Sequence, residues 1–181
     1  SASMIHGITN EMIKGKKTFL ESDAFLLLQK YNQKDSYIVA HNAAFDLKIL
    51  SSAGVAWEGG VIDTMRCAKH LFGESDSFAL GFLRYDLKLY RHEKDEALKY
   101  FPNPDSQNYE SLCPHNARFD AVITKMLFDV FLEMRSFEEL LVLNNKNALM
   151  QKLFFGKYSG RYIEEVAMQD RSYLEWMISN I

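Results

Sequence analysis

The chain has 181 residues, 48% of them hydrophobic and 25% charged, a balance that fits one domain, or a domain with a small appendage, and excludes a disordered chain. Its formal net charge of −3 gives no whole-molecule attraction to nucleic acid, so any phosphate binding must come from local patches or metal ions. The two cysteines, Cys67 and Cys113, lie in no metal-binding spacing and read as plain thiols. No apolar run reaches the length of a membrane span and no basic-then-apolar leader opens the chain, so the cytoplasm is the expected compartment.

In chain order, Thr9 stands where an N-cap belongs, ahead of a short helix from Asn10. Phe19, Phe25, Leu26, Leu28 and Tyr31 then share a broad helical face within TFLESDAFLLLQKYN. Tyr37-Ile-Val-Ala reads as a short buried strand that delivers the chain to His41. Helical spacing returns in AAFDLKILSSAG, with Gly54 at its C-terminal end. Val61-Ile62 reads as a second strand, and Asp63 or Thr64 can cap the helix MRCAKHLFG. FALGFLRYDLKLY at 78–90 is expected to be helical, and the Pro-bearing stretch FPNPDSQNYESLCP to be a loop. A long helix follows from near His115 through AVITKMLFDVFLEM. Between Asn144 and Ile163 no acid occurs, and FFGKYSGRYIEEV reads as a Gly-centred hairpin rather than a helix. Asp170 can cap a last helix, RSYLEWMISNI. The expected division is an α/β unit at 1–134, a helical or extended linker at 135–147 and a small module at 148–181.

Two segments carry the chemistry: HNAAFD at 41–46 and HNARFD at 115–120. The first leaves a strand for a helix, and open α/β sheets place functional groups at the carboxyl ends of strands. Asp46 there is either a metal-ligating carboxylate or an ordinary first-turn acid favoured by the helix dipole. In the second, one continuous helix would set His115 and Asp120 about 140° apart. A shared cleft therefore needs His115 in the preceding loop, where an imidazole suits a general base and Asp120 a magnesium ligand. A polar helix start with an unrelated acid is the alternative. Asp63 reads as a cap rather than a ligand.

The pair of HNAxFD segments resembles the DEDDh, or DnaQ-like, 3′–5′ exonucleases. Ala40–Asp46 is similar to their second motif, AHNAxFD, and His115, Ala117 and Asp120 to their third, HxAxxD. VIDTMRCAKHLF at 61–72 and IHGIT at 5–9 are similar to intervening passages of the family. FGKYSGRYIEEVAMQDRSYLEWM resembles the tail of the exodeoxyribonuclease X subfamily. The resemblance implies a ribonuclease H-like α/β fold and a two-metal phosphodiester hydrolysis with Mg2+ or Mn2+. It makes Asp46 and Asp120 metal ligands, His115 the acceptor of the water's proton, and His41, Asn42 and Phe45 the walls of the cleft. The implied substrate is a DNA 3′ end, single-stranded or frayed, in repair or replication. An RNA-trimming enzyme of the same family and a non-catalytic nucleic-acid-binding or assembly protein are the alternatives.

The family's first motif, Asp-x-Glu on a strand, is not found ahead of His6. The expectation is an N-terminally incomplete domain lacking its first strands, weak or inactive by itself, with strand edges and apolar faces exposed for self-association. In the C-terminal module, Phe154, Phe155, Tyr158 and Tyr162 interleave with Lys157 and Arg161. That pattern reads either as a patch guiding a single strand, aromatics on bases and cations on phosphates, or as a small core with solvated cations.

Overall fold

The computed structural model describes residues 8–101 and 117–180. It begins with α1 (Asn10–Ile13), whose Thr9 hydroxyl accepts from the Met12 N–H. The expected helix over 18–31 is broken in two. Ser22 accepts from the Phe25 N–H while its own hydroxyl donates to the Phe19 carbonyl. A serine that bonds backbone on both sides competes with helical continuity. The result is a 3₁₀ turn at Phe19–Glu21, closed by a Thr18/Glu21 capping box, followed by α2 (Asp23–Tyr31).

The two apolar runs pair in parallel. β1 (Tyr37–Ala40) lies on β2 (Gly60–Asp63) in the register Tyr37↔Gly60 through Ala40↔Asp63. Parallel strands need a long crossover, which α3 (Ala43–Ser52) supplies, ending before Gly54 at φ +79°. The Tyr37 ring occupies the space that a Cβ at Gly60 would need, so glycine is required where the pair begins. β2 runs directly into α4 (Thr64–Leu71), which Asp63 caps. The α/β class expected from the sequence is therefore present as a two-stranded sheet set among helices.

The expected helix over 78–90 is shorter. It forms α5 (Leu80–Asp86) and then a 3₁₀ turn at Leu89–Arg91, after Lys88 enters the left-handed region at φ 57°. An unexpected helix, α6 (Glu93–Tyr100), follows, with three acids in its first turn. The stretch 102–116, expected to be a loop, lies outside the described residues. α7 (Ala117–Met134) buries Phe119, Ile123, Leu127 and Phe131 along one stripe. These join Ile62, Cys67 and Leu83 in the main core. Burial pushes the Cys67 thiol up to about 11, with the Asp63 charge acting in the same direction.

Residues 135–147 contain α8 (Phe137–Asn145), which starts at a Ser136/Glu139 capping box and sinks Leu140 into the same core. Its last turn covers the sheet. The Asn144 side chain accepts from the Asp63 N–H at 2.8 Å and donates to the Val61 carbonyl at 3.0 Å. A side-chain amide thus supplies the pair of bonds that a neighbouring strand would make. Arg66 of α4 returns the favour, donating to the Asn144 and Lys146 carbonyls at the end of α8.

The C-terminal segment departs from the expected hairpin. One antiparallel bridge joins Lys152 and Tyr162, flanked by Leu153 N–H to Arg161 carbonyl and Ile163 N–H to Gln151 carbonyl bonds. The second arm turns at once into α9 (Ile163–Gln169), with Glu164 and Glu165 in its first turn and Val166 buried. Asp170 then accepts from the Tyr173 N–H at the start of α10 (Arg171–Asn180), as the sequence suggests. No described helix is long and apolar enough to cross a membrane.

Candidate functional site

The HNAAFD turn is built around a carboxylate from the other strand. Because Ala40 and Asp63 are register partners, Asp63 lies beside the chain as it leaves β1. One Asp63 oxygen accepts from the Asn42 N–H at 3.0 Å and the Met65 N–H at 2.9 Å; the other accepts from the Ala43 N–H at 3.1 Å. A single side chain therefore caps α4 and fixes the entry to α3. Asn42 is held at φ 64°, ψ 53°, the left-handed region, with its side chain exposed and not capping the helix. Asparagine tolerates that conformation better than other residues bearing a Cβ. Ala43 is buried, and Phe45 is 64% exposed.

Asp46 sits in the first turn of α3, facing solvent. Partial desolvation holds its carboxyl above the usual range, and the neighbouring Asp63 charge adds to the shift. A cation would relieve both effects. His41 points inward instead. Its Nε2 lies 2.8 Å from the Phe78 carbonyl and its Nδ1 2.9 Å from the Thr64 hydroxyl. A carbonyl only accepts, so Nε2 carries the proton. Burial lowers the ring below its usual value, opposed by the Phe78 carbonyl and the Asp63 and Asp120 charges. In the neutral ring, Nδ1 accepts from Thr64. The same hydroxyl lies 3.2 Å from the Ala40 carbonyl, to which it would turn if Nδ1 gained a proton.

Asp120 lies half-buried in the first turn of α7, within electrostatic range of His41. Its helix is anchored by charge. Arg84 of α5 donates twice to Glu93 at 2.6 Å, both side chains only 12% exposed, and its guanidinium stacks 4.9 Å from the Phe119 ring. Lys125 of α7 bridges Glu96 of α6 and Asp129. His115 lies outside the described residues, as does Cys113. Among the described residues no three His, Cys, Asp or Glu side chains converge to hold a metal ion. Asp46 and Asp120 have suitable chemistry for a hard divalent cation, but the described donors do not by themselves make a metal centre.

The module places Lys157 and Arg161 on its surface, each beside an acid. Lys157 bonds Asp170 at 3.1 Å, and Arg161 lies 3.8 Å from Glu165. Asp170 also accepts from the Tyr158 and Ser172 hydroxyls. These bonds, with Ser172 foremost and Lys157 next, hold its carboxyl far below the usual range. Tyr158 packs edge-on against Tyr173, which tilts against Trp176. Sequence reasoning missed three residues that organise the site. Asp63 was expected only to cap its own helix. Thr64 was expected only as an alternative cap, and Asn144 carried no signal, because their partners become visible only once the strands and α8 are in place.

Residues 153–181 match the family described as Exodeoxyribonuclease X-like C-terminal. Over 182 aligned residues, covering 99% of this chain and 71% of the relative, the chain is 28% identical to exodeoxyribonuclease 10 of Escherichia coli strain K12 and to its counterpart in strain O6:H1. It is 32% identical over 142 residues to a PolC-type DNA polymerase III of Thermotoga maritima, covering 74% of this chain but 8% of that protein. No solved structure gives a significant match.

Proposed function

Because the chain belongs to the DnaQ-like exonucleases and is similar to exodeoxyribonuclease X, we propose that its site hydrolyses DNA phosphodiesters stepwise from the 3′ end. The observation that carries this reading is the Asp63-braced turn, which presents Asp46 at the carboxyl end of β1 while the His41 ring beside it lies within electrostatic range of Asp120. In the proposal Asp46 and Asp120 are two carboxylates of a Mg2+ or Mn2+ site that draws further ligands from elsewhere. Divalent ions bound there would activate water and stabilise the leaving oxygen. His115 takes the proton of the attacking water. The exposed Phe45 ring offers a face to the terminal base or sugar. Asn42 shapes the cleft through its backbone, and His41 through its buried ring. Lys157 and Arg161 contact the single strand further along by exchanging their carboxylates for phosphates.

The test is degradation of 3′-labelled single-stranded DNA with magnesium or manganese, with DNA and RNA substrates side by side. In an active form of the protein, Asp46→Asn or Asp120→Asn should lower the rate on the order of a hundredfold or more. Unchanged rates would refute the assignment. A hydrolase with these two carboxylates needs further metal ligands, since the described donors do not by themselves make a metal centre. We therefore expect weak or no hydrolysis by residues 1–181 alone. Robust degradation by that polypeptide, abolished in Asp120→Ala, would overturn the expectation.

A further inference from the structure

The loop 73–78, between α4 and α5, is held from two sides that have no sequence relation. On one side the Phe78 carbonyl accepts a hydrogen bond from the His41 Nε2–H at 2.8 Å. On the other, the loop is gripped by the C-terminal module. The Lys152 ammonium donates to the Glu74 carbonyl at 3.1 Å and to an Asp76 oxygen at 2.9 Å. The Tyr162 hydroxyl donates to the Glu74 carboxylate at 2.7 Å. Phe154 packs edge-on against Phe78 itself, with ring centroids 5.5 Å apart.

The grip is built rather than incidental. Lys152 has a side chain only 12% exposed and lies 5.0 Å over the Tyr162 ring. Burial of a lysine is expensive unless its charge is met, and here both its oxygen partners belong to the loop. Lys152 and Tyr162 are also bridge partners, so the residues that seize the loop are the two that hold the module's turn together. The described cations of the module, Lys152, Lys157, Arg161 and Arg171, all pair with carboxylates. Only Lys152 spends its pair outside the module.

We propose that residues 151–162 act as a brace on the 73–78 loop, with Lys152, Phe154 and Tyr162 as positioning residues that fix the tautomer and orientation of His41 through the Phe78 carbonyl. The carbonyl selects the Nε2-protonated ring, and only that neutral tautomer leaves Nδ1 free to accept from Thr64, whose helix Asp63 caps. Releasing the brace lets the carbonyl swing away and removes the selection, without touching His41 or any residue of the HNAAFD turn. This inference goes beyond the proposed reaction and does not depend on it, because the state of the ring can be read in the absence of metal and DNA.

The experiment records imidazole 15N shifts in the full 181-residue chain, with His41 assigned by its loss in His41→Asn. Wild type should show a single Nε2–H tautomer at neutral pH. Lys152→Met and Phe154→Ala should each give an averaged tautomer signature at His41, and Lys152→Arg should restore the wild-type one. Amide exchange at 75–79 should quicken by about tenfold or more in the two disruptive variants. If either fails to fold, Tyr162→Phe, which removes one hydroxyl, should still produce a smaller displacement in the same direction. Trp176→Ala, an exposed change in the same module, should leave the His41 shifts alone. Unchanged His41 shifts in every brace variant, or equal changes in Trp176→Ala, would overturn the proposal.

Discussion

Asn42 makes a claim on its own backbone before it makes any on a substrate. A residue with a Cβ in the left-handed region costs on the order of 1–3 kcal/mol when it lacks the polar side chain that eases the strain. Asn42→Val should therefore lower stability by about that much, while Asn42→Gly should be near neutral; chemical denaturation of the two variants checks this. Equal losses in both would mean that the Asn42 amide, not the backbone, carries the contribution. His41 sets a pH dependence. Its ring is held below the usual value, so between that lowered value and about 6.5 the unfolded chain takes up a proton that the folded ring declines. Stability from this group is fully present above about 6.5 and is lost as the pH falls through that window. His41→Gln, whose amide can still donate to Phe78, should show a shallower decline in denaturation midpoint between pH 8 and 5 than wild type. An identical decline would assign the acid sensitivity to another group.

At the scale of the elements, the sheet is finished by a helix. Asn144 closes the outer edge of β2 with one donor and one acceptor. Asn144→Leu would leave the Asp63 N–H and the Val61 carbonyl unpaired and should cost roughly 2–4 kcal/mol, taking 1–3 for each stranded group and allowing for relaxation. A change below about 0.5 kcal/mol would show that water replaces the amide without loss. The same contact explains what was legible in the sequence. β1, β2, α3 and α4 are written locally, in short apolar runs and helical spacing. Asp63 as a cap is written locally too. Its reach to Asn42 and Ala43 is not, because it depends on the register Ala40↔Asp63. α9 was hidden by the glycines before it, and α8 was read only as a linker, helical or extended. Their assignment rests on Val166 and Leu140 finding buried partners, a tertiary fact. The HNAAFD half of the site was thus readable as a motif, while the groups that hold it in shape were not.

Across the whole molecule, apolar side chains are unevenly distributed. Leu26, Leu27 and Tyr31 on α2, with Phe45 and Ile49 on α3, are each more than half exposed. Isolated exposed residues of this kind are ordinary, but adjoining ones, as Leu26 and Leu27 on α2, make a larger apolar surface. We expect residues 1–181 to bind an apolar dye and to show an apparent mass in light scattering that rises with concentration. A concentration-independent monomer with no dye signal would count against this. The −3 net charge offers little repulsion to oppose such association.

The Asn144 clasp also fixes an order of events during synthesis. Asn144 stands 81 positions after Asp63, and Lys152 stands 76 after Asp76. Contacts so distant along the chain close late, since the intervening segment must be ordered first. A ribosome would therefore release the HNAAFD turn long before the residues that complete its support exist. Throughout that interval the Asp63 N–H lacks the Asn144 oxygen that accepts from it in the folded chain. The motif nearest the start of the chain is among the last parts of the molecule to be made rigid.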